Sequence, residues 1–173
     1  FRDSYAVDDF TQPYPLAPEQ MSRFMGGNLM VFRDSNWSPD FPTAARQAIA
    51  LYRPGYTLPV SGVITLDQHA VQEIISAIGP LRLEGMEQPV SGKNILAYIR
   101  QAWAPDEEGL TGEWWQARKS FMGQIAGAAW RRVQDGDVNW AALGRALLRL
   151  LEEKHVLIYT DHPAAAAILS AQG

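Results

Sequence analysis

Apolar positions recur along this chain at two spacings, and the switches between them mark its elements. From Val60 to Leu66 the run VSGVITL is rich in β-branched side chains, which suit a pleated strand. Asp67 follows as a good N-cap, and from Gln68 to Ile78 the spacing turns helical. On that helix Ala70, Val71, Ile74, Ile75, Ala77 and Ile78 fill one arc, with Gln68, His69, Gln72 and Ser76 opposite. Gly79-Pro80 stops it. Leu81 and Leu83 then alternate with Arg82 and Glu84, the period of a half-buried strand. Strand, helix and strand in this short compass are the βαβ signature of an α/β fold.

The flanking pattern extends the same architecture. Residues 1–7 read as a short strand, followed by the Pro-rich loop DDFTQPYPLAP and a short helix from Pro18 to Met25 that Gly26-Gly27 end. LMVF at 29–32 is strand-like. Asp40 caps a helix through AARQAIALY that stops at Pro54-Gly55. Ser91 caps a helix from Lys93 to Trp103, and a loop, APDEEGLTG, leads to a long helix from Glu113 to Val133. Asp135-Gly136 then turns into NWAALGRALLRLLEE, a strongly amphipathic helix. VLIYT at 156–160 is a continuous apolar run, as in a central strand buried on both faces. Pro163 opens a last Ala-rich helix. No repeat or low-complexity linker interrupts the chain, so residues 1–173 are expected to form a single α/β domain. The expected architecture is a three-layer α/β/α sandwich around a mixed central sheet.

Composition narrows the function classes. A net charge of −4 lacks the basic footprint that nucleic-acid binding requires, so no nucleic acid is expected as a partner. With no cysteine, disulfides, thiolate chemistry and Cys-based zinc sites are excluded. The three histidines, His69, His155 and His162, show no HExxH or HxH spacing, so no His-based metal site is expected. No apolar run is long enough to span a membrane. The chain opens on Phe1 without a polar lead-in and reads as a piece of a longer protein, with any membrane anchor upstream.

Two groups of residues carry candidate chemistry. Helical periodicity places Arg118 inside the apolar arc of Trp114, Ala117, Phe121, Met122, Ile125 and Ala128. A guanidinium there either snorkels or pairs internally, or it binds a phosphate or carboxylate with its planar fork. Arg100, at the flank of its helix, gains interest if it faces the same pocket. The second group is Asn36-Trp37-Ser38-Pro39-Asp40-Phe41-Pro42. It is either a rigid helix-capping loop or an ordered loop beside a ligand, with Asp40 as metal ligand or base. Trp115 and Trp130 fall outside the apolar arc of their helix and would suit a partner surface or a contact within the fold.

The run NWSPDFPTAARQA, then VSGVITLDQHAVQEIISAIGPLRL, the Asn94 helix, ARKSFM and the closing EKHVLIYT resemble the bacterial family called domain of unknown function 4012. The resemblance covers residues 36–160. It implies an extracytoplasmic domain of a membrane-anchored protein of the bacterial cell envelope. A more distant similarity is to the LytR-CpsA-Psr phosphotransferases, which transfer polyisoprenyl-pyrophosphate-linked glycans. ILAYIR at 95–100 and Ala117-Arg118-Lys119 are similar to that family's helices, and Arg2-Asp3-Ser4 is similar to its RDT turn. Trp115 stands where those enzymes carry a second Arg. This second resemblance implies a LytR-CpsA-Psr-like fold and Arg100 and Arg118 as pyrophosphate contacts; the Asn36–Pro42 segment itself adds Asn36 as a candidate ligand contact and Asp40 as the candidate catalytic residue. It also implies magnesium as the cofactor if the domain is catalytic. The rival expectation is a non-catalytic surface module for protein or polysaccharide.

Overall fold

The computed structural model describes residues 7–52, 59–104 and 112–171, with side chains described throughout except at 112–120. The strand expected over residues 1–7 (apart from Val7), the Arg2-Asp3-Ser4 turn and the Pro54-Gly55 stop lie outside the described residues, as does most of the loop before Gly112. By its internal contacts the chain divides into two compact units. One is Phe1–Thr65 with Leu157–Gly173, and the other is Leu66–Val156.

In the first unit, α1 (Glu19–Met25) follows Pro18 and ends at Gly26, whose φ of 71° is the left-handed conformation glycine tolerates best. The strand expected at 29–32 is reduced to one antiparallel bridge, Leu29 with Leu16. The ladder cannot continue because the Phe32 N–H donates to Asp8 Oδ1 at 2.8 Å, and Arg33 pairs with the same carboxylate at 3.3 Å. The chain turns instead into a 3-10 helix, Phe32–Trp37. Next, α2 (Phe41–Tyr52) packs against that turn and buries Ala44, Ala45, Ile49 and Leu51. Met21, Met30 and Leu51 form the small core, flanked by Tyr14, Ala17 and Phe32.

β1 (Gly62–Leu66) and β2 (Val156–Thr160) pair as a two-stranded antiparallel sheet. At one end the Asp161 N–H donates to the Ser61 carbonyl at 2.7 Å, and at the other the Asp67 N–H donates to the His155 carbonyl at 3.3 Å. This pair is the only sheet among the described residues, which show two antiparallel strands where a mixed central sheet is expected. VLIYT is accordingly not buried on both faces: only Val156 is fully buried, because β2 has a single strand beside it. β1 is largely exposed, with Ile64 at 66% and Leu66 at 51%. α7 (Pro163–Ala171) closes the chain without burying a residue. The protein is thus of mixed helix and strand, α/β in the general sense, and mainly helical.

The second unit is built of helices. α3 (Gln68–Ile78) packs on α4 (Ile95–Trp103), α5 (Gly112–Gln134) and α6 (Trp140–Glu152). Ile75, Ile78, Leu81, Leu83, Val90, Ile95, Ile99, Ile125, Ala128 and Leu143 form its core. Each buried Ile or Leu contributes roughly 1.5–3 kcal/mol, so this cluster dominates the unit's stability. The apolar arc read for α3 is the face it buries, while Gln68, His69 and Ser76 are exposed. Leu81 and Leu83 alternate in burial with Arg82 and Glu84 as expected. They do not form a strand: Leu81 makes a two-bond bridge to Val90, and Gly85 at φ 78° turns the chain between them. α4 starts two residues later than expected. Asn94, not Ser91, holds the N-cap position, and its Oδ1 accepts from the Ser91 N–H at 2.7 Å. No helix among the described residues is long and apolar enough to cross a membrane.

Candidate functional site

The first site grows from the β1–β2 register. That register sets Asp67 opposite His155, and α3 begins one residue later, so His69 falls in its first turn. Asp67 divides its carboxylate between two tasks. Oδ1 accepts from the Ala70 N–H at 2.8 Å and caps α3, while Oδ2 meets His155 Nδ1 at 2.6 Å. The Ala70 bond and then the His155 bond hold the Asp67 carboxyl below its ordinary range. An ionised carboxylate only accepts, so a proton sits on Nδ1, and Nε2 is the nitrogen left to offer a lone pair to a ligand. Nε2 lies 4.0 Å from Glu153 Oε2, and the His69 ring is 4.5 Å from that of His155. Solvent reaches this pair, so its contribution to stability is screened and small.

A helix C-terminus positions the other half. After α6, Lys154 adopts φ 65°, the one positive φ of a non-glycine among the described residues. The Lys154 N–H donates to the Leu151 carbonyl and the His155 N–H to that of Leu150, the two bonds of a Schellman cap. This tight reversal sets Glu153 and His155 on either side of Lys154, with His155 against Asp67. Spacing gave no sign of the group, since Asp67 and His155 are 88 residues apart. The only local signal was Asp67 as a cap.

A second site is a cleft of about 520 Å³ between the Pro80–Arg82 segment and the end of α5. Leu81 and Ala128 give it an apolar floor, and Arg82, Arg131, Arg132, Asp135 and Asp137 are its charged lining. Arg132 is anchored: it donates to the Pro80 carbonyl at 2.9 Å and pairs with Asp137 at 3.0 Å. Arg82 and Arg131 are exposed, and among the described residues neither is held in an ion pair. Three arginines against two aspartates leave this lining at +1 on a chain whose net charge is −4.

The residues singled out from sequence stand as follows. Asp40 is the cap of α2: its Oδ2 accepts from the Thr43 N–H at 2.9 Å. The side-chain and backbone bonds with Thr43 hold its carboxyl below the ordinary range, which keeps it ionised and makes it a weaker base. Asn36 is exposed at the end of the 3-10 helix. Both belong to the first unit, whereas Arg100 and Arg118 belong to the second. Arg100 is exposed in the last turn of α4 and does not line the cleft. Arg118 lies on α5, but its side chain is outside the described residues. Trp130 is 63% exposed, as its place off the apolar arc implied. Magnesium, expected from the distant resemblance, prefers all-oxygen surroundings. The one group of three His, Asp or Glu side chains that converges among the described residues is His69, Glu153 and His155, with two nitrogens and one oxygen. That donor set does not fit magnesium, and no magnesium step follows.

No curated protein and no solved structure matches the chain. The family described as "Protein of unknown function (DUF4012)" matches residues 1–103. The match begins before the Asn36 segment and ends at α4, so ARKSFM and EKHVLIYT lie beyond it. Asp67, His69 and Arg82 fall inside the matched stretch, and Arg131, Arg132, Glu153 and His155 outside it. Since the match covers more than half of its 173 residues, the chain belongs to the DUF4012 family.

Proposed function

We propose that this chain is the extracytoplasmic domain of a bacterial envelope protein and binds a lipid-linked or otherwise phosphorylated glycan in the cleft beside α5. The supporting observation is that the exposed Arg82 and Arg131 line this cleft together with Leu81, Ala128 and the anchored Arg132. Guanidinium forks bind phosphate in bidentate fashion, and an apolar floor accepts the non-polar face of a sugar or the start of a prenyl chain. Kinship with the LytR-CpsA-Psr phosphotransferases would suit the same ligand chemistry and a wider three-layer sandwich around β1 and β2. In a catalytic version Arg100 and Arg118 would contact the pyrophosphate. In the binding version Arg82 and Arg131 suffice.

The test is titration of the purified protein with vesicles containing a polyprenyl phosphate, against vesicles of neutral lipid. Saturable binding that the Arg82→Ala/Arg131→Ala double variant weakens at least tenfold is expected. Equal binding to both vesicles, or an unaffected double variant, overturns the cleft. Loss in Arg100→Ala/Arg118→Ala instead moves the ligand to those residues. Localisation is checked separately, by protease accessibility of the full-length protein in intact cells.

A second reading, a non-catalytic module for polysaccharide, is favoured by the exposed Trp130 and Trp140, at 63% and 55%. Flat aromatic faces stack on sugar rings. Binding of an uncharged polysaccharide that Trp130→Ala abolishes would select it.

A further inference from the structure

The geometry points to a metal site at the β1–β2 register: His69, His155 and Glu153 bind one zinc ion, with Asp67 orienting His155 from behind. One donor atom from each of the three ligands lies within 4.8 Å of the others. Donors on a tetrahedral zinc at about 2.0–2.1 Å stand about 3.3 Å apart, so the ion would draw them inward by about 1 Å. His69 and Glu153 are exposed and His155 half-buried, so rotamer adjustment achieves this without moving the core. Two imidazoles and one carboxylate are the donor set of zinc sites that keep a fourth position open for water or substrate.

Three observations make the group more than a surface cluster. Asp67 occupies Nδ1 of His155, which fixes the tautomer with Nε2 facing Glu153; a carboxylate behind a ligating histidine is the usual support for zinc. Asp67 is itself held by its bond to Ala70, so the support is rigid. Asp67 and Glu153 together carry −2, which matches the charge of the ion and outweighs the partial positive end of α3. Copper and nickel would bind the same donors by the general affinity order. Zinc is named because three ligands and an open position suit its geometry.

The test is isothermal titration of tag-free protein with zinc chloride, alongside cobalt(II) absorption to report tetrahedral coordination. One equivalent per chain is expected. His69→Ala and Glu153→Gln, both at exposed positions, should each weaken binding at least tenfold. Asp67→Asn keeps a capping side chain and should weaken it by about 10–100-fold through the lost support. His162→Ala, outside the group, should change nothing. Absence of saturable binding overturns the assignment, as does affinity unchanged in His69→Ala and Glu153→Gln. Because the wild type and two surface variants decide it, any folding defect of a His155 variant does not affect the outcome.

Discussion

The entrances to α2 and α3 are built alike and end up doing different things. Each helix follows an aspartate whose carboxylate accepts an N–H three residues on, Thr43 from Asp40 and Ala70 from Asp67, at 2.9 and 2.8 Å. Both carboxyls are held below the ordinary range by these bonds. There the likeness stops. Asp40 and α2 are satisfied locally: the helix packs on the 3-10 turn that immediately precedes it. Asp67 and α3 reach across the sequence, the carboxylate to His155 and the helix to α4, α5 and α6. A cap that spends one oxygen on its helix has a second to offer, and what that oxygen meets decides whether the cap is only structural.

The largest test of this contrast lies at the seat of α3. Gly92 is buried against α3, and a Cβ there would come within 2.8 Å of the Gln72 carbonyl and collide with Ser76. A backbone oxygen cannot rotate away, so Gly92→Ala should cost about 1–3 kcal/mol, read by urea denaturation. No equivalent loss is expected from Ala at exposed positions of α2. A Gly92→Ala protein as stable as the wild type would mean that α3 is not seated as tightly as its neighbours require.

A smaller effect separates the two caps. Asp67→Ala removes an N-cap and a screened, exposed bond to His155, for a loss of about 1–2 kcal/mol. Asp40→Ala removes a cap and its local side-chain bond with Thr43, but no contact distant in sequence, and should lower the melting temperature by less. A double-mutant cycle sharpens the point: Asp67 and His155 should couple by about 0.5–1 kcal/mol, and Asp40 with His155 not at all. Equal losses and zero coupling in both cycles would erase the distinction.

The smallest effect is in the acid range. The Asp40 carboxyl is depressed from an ordinary 3.8, so its stabilisation is present in full above that value and fades as the pH falls through the lower folded value. Asp40→Asn should therefore trail the wild type near neutral pH and converge with it in strong acid. Thermal melts across that range check the sign: a gap that widens on acidification would contradict it.

Particular residues show why some of this was legible in advance. Both aspartate caps, the arc of α3 and the in-out alternation at Leu81 and Leu83 were read correctly, because each depends on neighbours within one or two turns. The same alternation misled on pairing. Leu81 and Leu83 are buried as in a strand, yet Gly85 folds the chain back after a single bridge. VLIYT misled through its continuous apolar run: apolarity reports a tendency to be buried, not the number of strands available beside it. For the sites, helical spacing marks Arg118, while nothing in the sequence around Arg82 or Arg131 shows that the fold brings both to one cleft.

By itself, then, the sequence determined most of the helices, the aspartate caps of α2 and α3, the buried face of α3, the family, and the absence of thiol chemistry. These follow from local periodicity, short-range hydrogen bonding and composition. Only the tertiary structure decided that β1 pairs with β2, and with that register the meeting of Asp67, His69, Glu153 and His155. The physical reason is distance along the chain. A contact between residues 88 positions apart leaves no periodic trace, because nothing in the spacing of either segment depends on the other until the fold closes.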